Sequence, residues 1–317
     1  MIKPIKVAII GGGRWAKVLA SASMKILPKG SSLLVYSEGN QHAWNTFATN
    51  YGLRSDVVCH SASSQSEILT HAGVSHVLIA RLAKDHAVTA LAALKSGKRV
   101  FVEKPFANNL IDAEALVEQA ISLQCLTGLV FRYSSNLHLF SNVCKTCGIA
   151  AEGKLIWSDP VLEKRHGGVK KTDVSLNVAW DVLPHIWSIL KFFTLDGPTE
   201  LINAWPIDGL NGIGAKINFA GTCITVEMRR NASKRQRILF LKNGSWDGQI
   251  DFSEEPGKAS ISGKTVDVAK GFSSPLERQL NAFFDPNKKR VDPLCDVIAA
   301  IEALRLADQI SNYLKSI

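Results

Sequence analysis

Ile5-Lys6-Val7-Ala8-Ile9-Ile10-Gly11-Gly12-Gly13-Arg14-Trp15-Ala16 sets the fold of the first part of the chain. A short β-branched run gives a strand, three glycines give a turn, and residues 16–26 carry a helical pattern. The spacing is G-x-G-x-x-A. Gly11 permits the tight turn, Gly13 leaves the backbone bare for a diphosphate, and small Ala16 lets helix and strand pack closely. The first N–H groups of such a helix have no partners within it, so they attract an anion. Gly11, Gly13, Arg14, Trp15 and Ala16 are therefore candidate dinucleotide contacts. Glycine-rich turns after strands are common, and the residues downstream have to support this one.

They do so as an alternation of strands and helices. The strand Leu33-Leu34-Val35-Tyr36 ends at Ser37-Glu38. An acidic residue there suits the ribose hydroxyls of NAD and repels the extra phosphate of NADP. Glu38 therefore favours NAD, with NADP left open and Ser37 as another residue that could face the ribose. A strand Val77-Leu78-Ile79-Ala80 runs into Arg81-Leu82, and a helix opens at His86. The strand Arg99-Val100-Phe101-Val102 ends in Glu103-Lys104-Pro105; a helix over 110–123 and a strand over 127–131 follow, the latter ending at Arg132. This order implies a parallel sheet with helices on both faces, and ligands bind at the carboxyl ends of its strands. Arg81, His86, Glu103 and Lys104 all fall at such ends. His86 either caps its helix or faces the cofactor.

The second part reads differently. Strand-like runs over 154–158, 200–205, 214–219, 222–227 and 238–241 alternate apolar with polar residues, as in an antiparallel sheet covered on one face. The other face suits a second copy, so a homodimer or homotetramer is expected. Helices are expected over 276–284 and 296–314. The fold class is thus α/β: a doubly wound Rossmann sheet over 1–126, then an α+β domain with a largely antiparallel, open-faced sheet over 127–317. A polar loop over 163–173 offers Arg165 and His166 as substrate contacts, and its cations suit a polar or anionic small molecule. Arg229-Arg230 and Lys234-Arg235-Gln236-Arg237 flank Asn231-Ala232-Ser233 and read as a solvated hairpin tip.

Composition narrows the class. The net charge of +9 is spread along the chain, and no nucleic-acid motif accompanies it. No apolar run approaches the roughly 20 residues of a membrane helix. Met1-Ile2-Lys3-Pro4 leads directly into the first strand with no leader pattern, which points to the cytoplasm. Cys144 and Cys147 form a C-x-x-C that closes a helix before Gly148; with no second ligand pair nearby, the expectation is reduced thiols and no metal site.

Gly97-Lys98-Arg99-Val100-Phe101-Val102-Glu103-Lys104-Pro105-Phe106-Ala107 resembles a signature of the Gfo/Idh/MocA family, the glucose–fructose oxidoreductase and inositol dehydrogenase-like enzymes. His86 also resembles that pattern, as does the D-x-x-x-H of Asp181-Val182-Leu183-Pro184-His185. Asn177-Val178-Ala179-Trp180 is similar to the sugar and nucleotide-sugar branch. The resemblance implies hydride transfer between a nicotinamide and a hydroxyl or keto carbon of a sugar, including phosphorylated or nucleotide-linked ones. It implies Lys104 near the reacting hydroxyl, Asp181 and His185 facing substrate with the histidine as proton carrier, and Arg132 as a contact to substrate or cofactor, with a domain-joining arginine as the alternative. Arg81-Leu82 departs from the family's usual Thr-Pro, and Leu183-Pro184 replaces a frequent glycine.

Physical chemistry runs in parallel with that resemblance. An alcohol yields a hydride only as its proton leaves, and histidine is the base whose ordinary pKa lies nearest working pH. On a helix, Asp181 and His185 share one face, while Pro184 is tolerable only near a helix start or at a kink. The alternatives are reduction of a C=N bond, glycoside hydrolysis by transient oxidation, and a dinucleotide sensor without catalysis.

Overall fold

The computed structural model describes residues 3–37, 44, 58–61, 63–161, 164–165, 168–169, 176–194, 196–209, 211–254, 257–266 and 273–317. The chain divides into two compact units, Met1–Val130 with Ser274–Ile301, and Phe131–Ser273 with Glu302–Ile317. A contiguous boundary at 126/127 does not provide for the return of residues 274–301 to the first unit.

The first unit begins with β1 (Lys6–Ile10), α1 (Arg14–Ile26), β2 (Ser32–Tyr36), β3 (Val58–Ser61), α2 (Gln65–Thr70) and β4 (Val74–Ile79). It continues with α3 (His86–Lys95), β5 (Arg99–Val102), α4 (Leu110–Gln119) and β6 (Cys125–Thr127). The sheet order is β3-β2-β1-β4-β5-β6, and every pairing is parallel. Val7, Ala8, Ile9 and Ile10 are all fully buried, as expected of a strand covered on both faces. The order reverses between β1 and β4, the switch point at which such sheets bind ligands.

Two sequence expectations shift here. The strand expected over 127–131 is β6 at Cys125–Thr127, and Val130–Tyr133 is a 3-10 turn. The chain leaves the sheet at Gly128, where the Leu129 N–H donates to the Thr127 carbonyl at 2.8 Å. The helix expected over 110–123 stops at Gln119, and Leu123 takes a left-handed φ of 59°. Its N–H donates to the Asp296 carboxylate, and Leu126 forms an antiparallel bridge with Asp296. Gln279 adds a bond from Nε2 to the Thr127 carbonyl at 3.0 Å.

The second unit holds α5 (Ser135–Cys147), β7 (Glu152–Pro160), the small pair β8 (Lys164–Arg165) and β9 (Gly168–Val169), and α6 (Val178–Leu190). Then come β10 (Thr199–Ile207), β11 (Gly212–Phe219), β12 (Thr222–Ala232), β13 (Gln236–Lys242), β14 (Asp247–Asp251), β15 (Lys258–Ile261) and β16 (Lys264–Val266). The large sheet is ordered β10-β11-β12-β7-β13-β14-β15-β16, antiparallel except where β7 meets β12. Ile224, Val226 and Met228 of β12 are fully buried on one face, with Leu155 of β7 and Leu239 of β13. The helix α6 covers that face, and its own residues are buried on nearly every side. On the opposite face Phe240 of β13 is exposed. Cys144 and Cys147 sit in the last turn of α5, and burial pushes the Cys144 thiol up to about 12, so it stays protonated. Two further helices, α7 (Pro275–Phe284) and α8 (Val297–Ser316), end the described chain.

Candidate active site

The glycine turn joins β1 to α1 at the switch point. Gly11 has φ +149°, and a Cβ there would lie 2.2 Å from the Ala80 carbonyl oxygen, so only glycine lets β1 and β4 end side by side. Gly13 is the N-cap of α1, and a Cβ on it would meet no protein atom within 4 Å. No acidic residue occupies the first turn of α1 to compete for its N–H groups. A cleft of about 410 Å³ opens here, lined by Gly11, Gly12, Gly13, Tyr36, Arg81 and Asp85 among others. Ala16 is fully buried, consistent with close helix–strand packing. Ser37, just past β2, is buried, and its Oγ has no hydrogen-bond partner among the described residues. A bare backbone at Gly13, the start of a helix and the Ser37 hydroxyl fit a dinucleotide diphosphate and ribose.

The ends of β4 and β5 meet around His86. Its Nδ1 lies 2.7 Å from the Pro105 carbonyl and its Nε2 3.2 Å from the Arg81 carbonyl. Burial pushes the imidazole below its ordinary value, against the pull of those two carbonyls. Both ring nitrogens are thus turned to the backbone of the two loops, and His86 fixes one loop against the other. Arg81 lines the cleft, donates to the Gln65 side chain at 2.9 Å and lies 3.9 Å from the Asp85 carboxylate. Glu103 is buried, and burial pushes its carboxyl up to about 7. The Trp15 side chain, the Lys104 charge and the Lys104 backbone N–H act in the opposite direction. Lys104 precedes Pro105 across a cis peptide bond.

In the second unit Asn177 caps α6, its Oδ1 accepting from the Ala179 N–H at 2.8 Å. Pro184 lies in the second turn and the helix runs through it, one backbone bond poorer. Asp181 in the first turn accepts from Arg230 of β12 at 3.2 Å. Arg230 also donates to the Leu176 carbonyl at 2.6 Å, so it ties the helix start to the sheet. One turn later the His185 ring stacks on Trp157 of β7, centroids 5.6 Å apart and planes 20° from parallel. The Phe131 ring meets it edge-on at 5.1 Å. Arg237 of β13 lies 3.5 Å over the Trp157 ring and pairs with the buried Asp159 carboxylate. The candidate proton carrier thus stands in an aromatic setting anchored by a buried ion pair.

Several expectations change. Arg230 and Arg237 belong to strands and are largely buried, so the solvated-tip reading fails for both; their partners Asp181 and Asp159 draw them in. Arg132 is buried, donates to the Ser188 carbonyl near the end of α6 at 3.0 Å, and lies 3.8 Å over the Phe192 ring. A cation at a helix C-terminus is favourable packing in its own right. Glu38 and His166 lie outside the described residues, as does the side chain of Arg165. Among the described residues, no cluster of His, Cys, Asp and Glu could hold a metal ion.

Residues 5–131 match the model of the oxidoreductase family with an NAD-binding Rossmann fold, Gfo/Idh/MocA. That stretch belongs to this family. The Gfo/Idh/MocA segment spans the glycine turn, His86 and Glu103-Lys104-Pro105. A curated relative, 4-carboxy-2-hydroxymuconate-6-semialdehyde dehydrogenase of Sphingobium sp. (strain NBRC 103272 / SYK-6), is 32% identical over 97 residues, which are 30% of this chain and 29% of that protein. Similar solved structures cover nearly the whole chain. UDP-N-acetylglucosamine 3-dehydrogenase from Acidithiobacillus ferrooxidans has TM-score 0.76 at 19% identity, over 99% of each chain. Levoglucosan dehydrogenase in complex with NADH and L-sorbose has TM-score 0.79 at 16% identity, over 99% of this chain and 97% of that one. At such identities the likeness is one of fold, and it covers both units.

Proposed function

We propose that the chain is an NAD-dependent dehydrogenase or reductase that moves a hydride between the nicotinamide and a hydroxyl or keto carbon of a sugar or sugar derivative. The observation that carries this is the turn at Gly11–Gly13: backbone packed too tightly for a side chain at Gly11, and open space at Gly13, the N-cap of α1. The structural relatives that act on levoglucosan and on a nucleotide sugar support the substrate class. NADP is the alternative dinucleotide.

Bound NAD supplies the hydride acceptor or donor. Gly11, Gly13 and the first turn of α1, with Arg14, Trp15 and Ala16, hold its diphosphate, and Ser37 and Glu38 take its ribose. Arg81 lies along the same cleft, where a guanidinium adds charge complementary to phosphate. Lys104 places an ammonium near the oxygen that becomes an alkoxide, which lowers the cost of charge developing there. His185 accepts the hydroxyl proton through a ring nitrogen. Asp181, held by Arg230, takes a substrate hydroxyl or steadies the histidine. The cations of 163–173, Arg165 among them, with His166, favour a substrate carrying phosphate or carboxylate.

The exposed Phe240 on the uncovered sheet face supports a homodimer or homotetramer. No helix among the described residues is long and apolar enough to cross a membrane, and a cytoplasmic site of action is proposed.

The test is direct. Purified protein is titrated with NADH and NADPH by calorimetry, then assayed for reduced nicotinamide against sugars, sugar acids, sugar phosphates and nucleotide sugars. NADH binding in the micromolar range is expected. Lys104→Met and His185→Ala are expected to keep that binding and lose turnover by at least about 100-fold. Absence of binding by either dinucleotide would overturn the proposal. Turnover unchanged in both variants would remove their catalytic roles.

A further inference from the structure

His185 stands on a helix, and helix geometry fixes where its Cβ points but not how its ring is turned. The second side-chain torsion of histidine has broad preferences, so the plane of the imidazole is set by what packs on it. Two contacts set it here. The ring lies on Trp157 with planes 20° from parallel, and Phe131 meets it edge-on at 85°. Phe131 also stands edge-on to Trp157, at 80° with centroids 5.6 Å apart, so the three rings brace one another.

Trp157 is held in turn from β13. The guanidinium carbon of Arg237 lies 3.5 Å from the centre of its ring. That guanidinium has little freedom: Nη1 donates to the Ser158 and Gln236 carbonyls, each at 2.7 Å, and Nη2 donates to the Asp159 carboxylate. The Arg237 side chain is 2% exposed. Stability alone is a poor account of this arrangement, because apolar side chains of similar volume commonly serve as well as a buried ion pair. Nor does the tryptophan use its polar atom: Nε1 is buried with no hydrogen-bond partner among the described residues. What Trp157 contributes is a flat ring, pinned by a cation and in contact with the imidazole.

We propose that Trp157 and Arg237 are positioning residues for the proton carrier. The Asp159–Arg237 pair holds the indole in one plane, and the indole with Phe131 fixes the plane in which His185 offers its ring nitrogens to the substrate hydroxyl. This rests on His185 as the proton carrier and adds the residues that aim it. A reacting group displaced by about 1 Å costs on the order of 100-fold in rate. Turnover therefore depends on two side chains that are themselves buried.

The test separates position from stability. Arg237→Met combined with Asp159→Leu removes both charges of the pair and puts flexible or apolar side chains in their place. This double variant should unfold in urea close to the wild type. Its kcat, on the substrate that the sugar screen identifies, should fall about 10- to 100-fold, with KM for NADH changed less than about 2-fold. Trp157→Leu should show the same loss, and Trp157→Phe, which keeps a ring, should recover most of it. A second readout needs no substrate. In carbon–proton correlation spectra of the full chain with isotope-labelled histidine, the His185 signal is assigned by its absence from His185→Ala. It should move in the double variant and in Trp157→Leu.

A folded double variant with wild-type kcat, or with its His185 signal in place, overturns the role of Arg237. Wild-type kcat in Trp157→Leu overturns that of Trp157. If the double variant fails to fold, the two Trp157 variants decide, and equal kcat in both overturns the proposal. Full turnover in His185→Ala instead removes the reading of His185 as proton carrier, a distinct result because the spectral shifts do not depend on it.

Discussion

In the first unit, the candidate cofactor residues are held by backbone close to them at the strand ends. Gly11 abuts Ala80, His86 reaches the carbonyls of Arg81 and Pro105, and Glu103 rests over Gly128. In the second unit, two side chains on one helix depend on arginines from distant strands. Arg230 reaches Asp181 across 49 residues of sequence, and Arg237 reaches Asp159 across 78 while stacking on the ring that His185 also stacks on. The first arrangement is fixed by chain geometry and leaves little freedom for substitution. The second is fixed by charge and aromatic packing, which can be rebuilt with other residues. A cofactor common to many enzymes suits the rigid arrangement, and substrates that differ suit the replaceable one.

Substitutions can break that contrast, and the largest effect is expected at Gly11. A Cβ 2.2 Å from a carbonyl oxygen at φ +149° cannot be relieved without moving β1 from β4. Gly11→Ala should lose about 4 kcal/mol or more in urea unfolding, and a loss under 1 kcal/mol would contradict the packing described. Next comes Arg237→Met, which takes from the buried Asp159 its short ion pair and leaves the longer one to Arg235 at 3.9 Å, and should cost about 3 kcal/mol. If charge and not chain geometry governs the second unit, replacing Asp159 by Leu as well should recover most of that loss.

Glu103→Gln sharpens the contrast with pH. The folded-state pKa of about 7 lies above the reference 4.5, so the folded protein binds the proton more tightly than the unfolded chain. The resulting stability is fully present below about 4.5 and is lost as pH rises through 7. Glu103→Gln should therefore match the wild type near pH 4 and exceed it near pH 8, by at most about 3 kcal/mol. Thermal melts across that range would show it. The smallest change in stability belongs to Gly13→Ala. With nothing within 4 Å of the new methyl, unfolding should shift by less than about 0.5 kcal/mol. NADH affinity should nonetheless fall about 10-fold, because the methyl occupies the space left for the diphosphate.

What could be read from the sequence follows the same division. The strand, glycine turn and helix at 5–26, and Glu103-Lys104-Pro105 at the end of β5, depend on neighbours in sequence, so pattern and resemblance found them. Arg230 and Arg237 were legible only as a cationic cluster, since nothing local distinguishes an arginine aimed at water from one aimed at a buried carboxylate. The packing of Arg132 was not legible, because Ser188 and Phe192, which it touches, lie more than 50 residues away. The strand expected over 127–131 illustrates another limit: a short apolar run does not say where a sheet lets go of it. There the chain turns at Gly128, which lies against the carboxyl of Glu103, a tertiary contact.

The return of residues 274–301 to the first unit, and a helix α8 whose opening residues count with one unit and the rest with the other, bear on how this fold can be transplanted. A fragment cut after residue 130 would strip Thr127 of its Gln279 partner and Leu123 of Asp296, exposing the edge of β6 to water and to other chains. Moving the nucleotide-handling half into a chimeric enzyme therefore requires two stretches of gene, stitched together by a new linker or by circular permutation.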